Sequence, residues 1–89
     1  MAWRIEFDSA AQKELEQLDK PVAPRILKFL YHRVGKLDDP RRIGERLHGT
    51  LSEFWKYRVG DYHLICSLEN DRLRVLVLRI GHRREVYKR

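Results

Sequence analysis

Polar and apolar residues alternate at the start of the chain. Trp3, Ile5 and Phe7 interleave with Arg4, Glu6 and Asp8, a period of two that predicts a first strand with one apolar face. Ser9 stands three residues before Gln12, the spacing of a capping box that opens a helix. Ala11, Leu15 and Leu18 then fall on one side of that helix, and Asp19-Lys20-Pro21 ends it and starts another, proline being tolerated in a first turn. Val22, Ile26, Phe29, Leu30, Val34 and Leu37 keep helical spacing, so the second helix is expected to be longer and strongly amphipathic. Gly35 and Asp38-Asp39-Pro40 close it. Two consecutive helices with apolar stripes need an apolar surface to cover, most simply one face of a sheet.

Residues 40–53 show no periodicity and read as a connection, with one helical turn near Arg41–Gly44. Three strands follow, at about 54–59, 62–68 and 73–80. Gly60-Asp61 between the first two suits a tight hairpin, because a two-residue loop favours glycine at a positive φ. Val75, Leu76, Val77 and Leu78 are apolar without alternation, as in a central strand buried on both faces. The expected fold is α+β in the order β-α-α-β-β-β. It is a single domain over 1–89, with a mainly antiparallel four-stranded sheet and a helical hairpin packed on one face.

Charge changes this picture by dividing the chain. Residues 1–40 hold seven Lys/Arg and seven Asp/Glu, whereas residues 41–89 hold twelve and six, so the second half carries the whole net charge of +6. A neutral half followed by a basic half fits either a localised anion-binding surface, for which nucleic acid is the commonest partner, or ordinary solubilising charge. No stretch approaches the roughly 20 apolar residues that span a membrane, and the charged, alternating start does not read as a signal peptide. The one cysteine, Cys66, has no internal partner, in keeping with a reducing cytoplasm.

Candidate chemistry gathers between Phe54 and Tyr87. In the strand at 54–59, Trp55, Tyr57 and Val59 share one face, and Lys56 and Arg58 share the other. If Gly60-Asp61 is a two-residue loop, Val59 pairs with Tyr62 and Arg58 with His63, so Lys56, Arg58 and His63 cluster with no carboxylate among them. Clustered positive charge disfavours the protonated forms of Lys and His, which suits a base. The alternative is the solvated face of a half-exposed strand. Gly81-His82-Arg83-Arg84 leaves the end of the buried strand, where arginine forks suit phosphate, and Tyr87 is placed to stack on a base; the alternative is a basic, frayed tail with an incidental tyrosine. His32 and His48 lack ligand-spaced partners, the histidines and cysteine show no metal spacing, and no cofactor is implied. Cys66 is expected on the helix-covered side as a buried structural thiol, and Trp3, Trp55 and Phe29 are expected in the core.

The chain resembles the RelE/ParE superfamily of toxins from type II toxin–antitoxin modules over nearly its whole length. The resemblance rests on Phe7-Asp8-Ser9-Ala10-Ala11 and Arg46-Leu47-His48-Gly49. It rests more heavily on Trp55-Lys56-Tyr57-Arg58-Val59-Gly60-Asp61-Tyr62 and on Gly81-His82-Arg83-Arg84-Glu85-Val86-Tyr87. RelE-like members cleave mRNA in the ribosomal A site, while ParE-like members poison DNA gyrase and lack the cationic catalytic set. Lys56, Arg58, Arg83 and Tyr87 match four positions of the RelE-like set, and the fifth, an arginine in many relatives, is His63 here.

The resemblance thus implies a metal-independent, ribosome-dependent endoribonuclease in which a 2′-hydroxyl attacks the adjacent phosphate. Lys56 would be the base, Arg58 and His63 would bind phosphate, Arg83 would stabilise charge and Tyr87 would stack. Arg46, His82, Arg84 and Lys88 would be further RNA contacts. The implied partners are a cognate antitoxin, the 30S A site with its rRNA, mRNA, and operator DNA through the antitoxin only. A gyrase poison, and a weakened toxin acting mainly as an antitoxin-bound co-repressor, are the alternative readings.

Overall fold

A computed structural model describes residues 2–82. The elements run β1 (Arg4–Phe7), α1 (Ser9–Glu16), α2 (Val22–His32), β2 (Glu45–Arg46), β3 (Trp55–Val59), β4 (Tyr62–Glu69) and β5 (Arg74–His82), with short 3₁₀ turns at Val34–Lys36, Pro40–Ile43 and Gly49–Leu51. The strands form one sheet in the order β1-β5-β4-β3-β2; β1 runs parallel to β5 and the other pairs are antiparallel. The sheet therefore has five strands rather than the expected four. The extra one, β2, is two polar residues long, too short to show any alternation, and exists through pairing of Glu45 with Lys56 and Arg46 with Trp55.

The helical hairpin covers one face of the sheet as expected. Ala11 and Leu15 from α1, and Ile26 and Leu30 from α2, pack on Tyr57, Leu64, Cys66, Val75, Val77 and Ile80. Trp3 joins this core, with its indole N–H donating to the Asp38 carbonyl at 3.1 Å. Two local expectations shift. The cap of α1 is Asp8, whose carboxylate accepts from the Ala10 N–H, and not Ser9. Either oxygen-bearing side chain can cap, and pairing of the Asp8 N–H with the Val77 carbonyl holds Asp8 extended at the end of β1. Helix α2 ends at His32, short of Leu37, because the chain tightens into a 3₁₀ turn at Gly35, whose carbonyl accepts from the Trp3 N–H at 2.7 Å.

β5 is central, between β1 and β4. It is not buried on both faces throughout, since Val75 and Val77 are fully buried but Leu76 and Leu78 only partly. The register with β4 slips between Ile65, opposite Arg79, and Cys66, opposite Val77, leaving Leu78 as an extra residue. Such a bulge reverses the side-chain alternation, which lets Val77 and Ile80 both reach the core at an odd spacing. Where β1 stops, the Glu14 carboxylate of α1 takes over as partner of β5, accepting from the Ile80 N–H at 2.7 Å. The other face of the sheet is only partly covered. Leu47, Leu51 and Phe54 pack on Ile65 at its centre and leave two corners of charged residues.

Candidate active site

The β3–β4 hairpin fixes the register on which the sequence argument depends. Gly60 has φ +59, a backbone state that L-residues enter only at a cost, so the two-residue loop forms where the sequence places it. Val59 pairs with Tyr62 and Arg58 with His63. Leu64 and Cys66 enter the helix-covered core, so His63 projects to the opposite, open face. Lys56 and Arg58 lie on that face too. Arg58 is exposed and its Nε donates to the Gly60 carbonyl at 3.1 Å. His63 is 8% exposed and lies opposite Gly81 of β5, where no side chain separates it from the end of that strand.

One expectation fails here, because the cluster does contain a carboxylate. Glu45 of β2 stands opposite Lys56, and its Oε1 lies 3.2 Å from Nζ. The approach depends on Gly44, where an added Cβ would sit 3.0 Å from two carbons of the Tyr57 ring. That ring is fixed from both sides. Its hydroxyl donates to the Pro40 carbonyl at 2.7 Å and its edge meets Phe29 of α2. Burial raises the Tyr57 hydroxyl above its ordinary range, so it serves as a structural donor. Periodicity overlooked Glu45, and Gly44 beside a charged pair was the one local trace of it.

The remaining candidates are dispersed. Arg46 lies on the edge strand with its Nε donating to the Ser52 carbonyl at 2.7 Å, which holds the covering loop. His82 pairs with Tyr62 and its ring meets that of Tyr62 edge-on at 5.9 Å. It borders a cavity of about 290 Å³ with Glu14 of α1 and with Gln17 and Leu18 just after it, so it faces the helices and not the Lys56–Arg58–His63 cluster. Arg83, Arg84, Tyr87 and Lys88 lie outside the described residues. Cys66 is fully buried in the core and burial pushes its thiol up, as a structural cysteine requires. Trp3 is in the core as expected; Trp55 and Phe29 are half-buried and pack against it, each with a guanidinium (Arg41 and Arg33) over its ring at 5.8 Å. Among the described residues, no group of three or more His, Cys, Asp or Glu side chains could hold a metal ion, and no helix is long and apolar enough to cross a membrane.

Two cations and an imidazole on one sheet corner can bind a phosphate and exchange a proton with it. Residues 5–87 match the family model described as the ParE toxin of type II toxin–antitoxin systems, parDE. The chain belongs to this toxin family. Its similarities also lie on the RelE side of the RelE/ParE superfamily. It is 25% identical to Toxin RelG of Mycobacterium tuberculosis over 89 residues, all of both chains. It is 23% identical to Toxin RelE of the same organism over 86 residues, covering 97% of this chain and 87% of the relative. The fold matches the toxin–antitoxin complex RelBE2 of M. tuberculosis with a TM-score of 0.85 at 22% identity, covering 92% of each chain. It matches the isolated E. coli RelE toxin with a TM-score of 0.72 at 22% identity, over 91% of this chain and 84% of that one.

Proposed function

We propose that this toxin is a ribosome-dependent endoribonuclease that cleaves mRNA in the A site and is restrained by a cognate antitoxin. The observation that carries the reading is the register: Arg58 opposite His63, with Lys56 on the same face, beside the end of the strand that leads to Arg83. The similarity to toxins named RelG and RelE and to a toxin solved with its antitoxin supports the antitoxin partner, and the family resemblance to RelE-like members supports the reaction.

In the reaction the 2′-oxygen attacks the adjacent phosphorus and the bond to the 5′-oxygen breaks. A 2′,3′-cyclic phosphate and a 5′-hydroxyl result. The 2′-proton needs an acceptor, the phosphorane needs cations and the departing 5′-oxygen needs a proton. Lys56 accepts a proton only as a neutral amine, and a carboxylate at 3.2 Å favours the ammonium. We therefore place Lys56, with Arg58, on the phosphate charge and assign the 2′-proton to His63. Arg83 then stabilises the charge on the departing 5′-oxygen, which takes its proton from water, and Tyr87 stacks on a base. This moves the base from Lys56, where the family resemblance put it, to the neighbouring imidazole.

The test is a reconstituted translation reaction with a stalled A-site codon. Wild type cuts the message, and His63→Gln and Arg83→Ala each lose on the order of 10²-fold, the typical contribution of a group that moves or steadies a proton. An uncut message sinks the reading. His63→Arg separates the alternatives, since a gain marks His63 as a weakened phosphate ligand and a loss marks it as the base. The matching family model carries the ParE name, and ParE-like members poison DNA gyrase, so the family resemblance offers gyrase as a second target. Trapped gyrase–DNA cleavage complexes with intact mRNA would establish that reading instead.

A further inference from the structure

β2 is the least regular part of the sheet, two residues long and at its edge, yet it places a carboxylate on a lysine of the candidate site. Gly44 lies against Tyr57, Glu45 reaches Lys56, and Arg46 ties the following loop through Ser52. The two ends of the ion pair differ in exposure. The Lys56 side chain is 20% exposed, while that of Glu45 is 67% exposed. A carboxylate held by one ammonium and otherwise in water is readily displaced by a more highly charged anion.

We infer that Glu45 is a positioning residue, a counter-ion that holds the Lys56 ammonium over the open face until a phosphate takes its place. The inference rests on the nuclease reading for its kinetic consequence only; the charge coupling stands on the geometry. Among the described residues, the charged groups facing Lys56 are Glu45 from β2, Arg58 on its own strand and His63 from β4, with Arg79 of β5 one strand further and paired to Glu14 at 3.1 Å. Arg58, Arg79 and any protonated His63 disfavour the ammonium. Glu45 opposes them and favours the ammonium. In the free protein Glu45 keeps that charge directed and partly neutral. In the complex it competes with RNA for the same head group.

Two measurements on full-length toxin test this. The first follows each lysine through pH by ¹³Cε NMR in wild type, Glu45→Gln and Glu45→Asp. Glu45→Gln lowers the Lys56 midpoint by about half a pH unit, as expected from loss of a partly exposed ion pair, and Glu45→Asp keeps most of it. The second is the KM for message cleavage on programmed ribosomes, which falls about threefold in Glu45→Gln because a competitor of that strength is gone. A residue that only pinned the edge strand would change the melting temperature and leave both readouts alone. An unchanged Lys56 midpoint, or a KM that stays or rises, overturns the inference. If wild type fails to cut at all, the nuclease reading falls, while the NMR arm still decides whether Glu45 is the counter-ion. Should Glu45→Gln not fold, Glu45→Ala takes its place: a lowered Lys56 midpoint with a lowered KM supports the coupling, and neither moving refutes it.

Discussion

The open face of the sheet has two charged corners that the same chemistry has furnished differently. At one, Arg74 of β5 donates to both Glu69 oxygens at 2.8 and 2.9 Å and to Glu6 of β1 at 2.7 Å, with Arg4 3.4 Å from the other Glu6 oxygen. Each cation there meets a carboxylate within a strand or a tight turn, and the guanidinium's hydrogen bonds hold Glu69 and Glu6 below the usual carboxylate range. At the other, Lys56, Arg58 and His63 share a corner to which the edge strand brings Glu45. The first corner closes on itself and joins β1, β4 and β5, and at the second, among the described residues, one carboxylate stands with two cations and an imidazole. Charge locked among scaffold strands holds the sheet together, and a cationic cluster on a hairpin is what an anionic substrate can use.

The comparison breaks most visibly at Lys56. Lys56→Ala is expected to cut message cleavage on programmed ribosomes by about 10²-fold while the melting temperature stays close to wild type. Equal losses in cleavage from Lys56→Ala and from a variant at the Arg74 corner would erase the distinction between the corners. A smaller effect lies in the turn that builds the candidate corner. Gly60→Ala has room, since the nearest heavy atom to an added Cβ is an Arg25 guanidinium nitrogen at 3.4 Å, so its cost is the φ of +59. That cost is about 1 kcal/mol in urea unfolding. A loss near zero would mean that the hairpin relaxes to another turn, and the Arg58–His63 register would no longer be secure.

The sequence made the helix hairpin, the β3–β4 turn and the placing of Cys66 legible, because each rests on a local rule: a 3.6-residue stripe, a glycine in a two-residue loop, or strict alternation. It hid what depends on partners distant in the chain. β2 has no pattern of its own and exists because β3 offers it an edge. The bulge at Leu78 is invisible in an unbroken apolar run. The early end of α2 follows from a hydrogen bond between Gly35 and Trp3, about thirty residues away along the chain. The candidate site divided in the same way. Lys56, Arg58 and His63 followed from one turn, whereas Glu45 required the fold, and His82 was carried to the helix face by its pairing with Tyr62.

The smallest effect sharpens the comparison from the scaffold side. Arg74→Met keeps most of the stem and removes the charge shared by Glu6 and Glu69. Both carboxylates sit below their ordinary pKa of 4.5 in the folded protein, with the Arg74 hydrogen bonds as the leading cause. A depressed carboxylate contributes stability that is present above its unfolded pKa and is lost as pH falls through the folded value. The variant should therefore melt a few degrees below wild type at pH 7, and the gap should close as the pH drops below about 4.5. Message cleavage per folded molecule should remain at the wild-type level, because nothing at this corner faces the candidate site. A gap that persists unchanged at pH 3 would assign the loss to the stem's packing and not to the ion pairs. A loss of cleavage would show that the two corners are coupled through β5, which joins them.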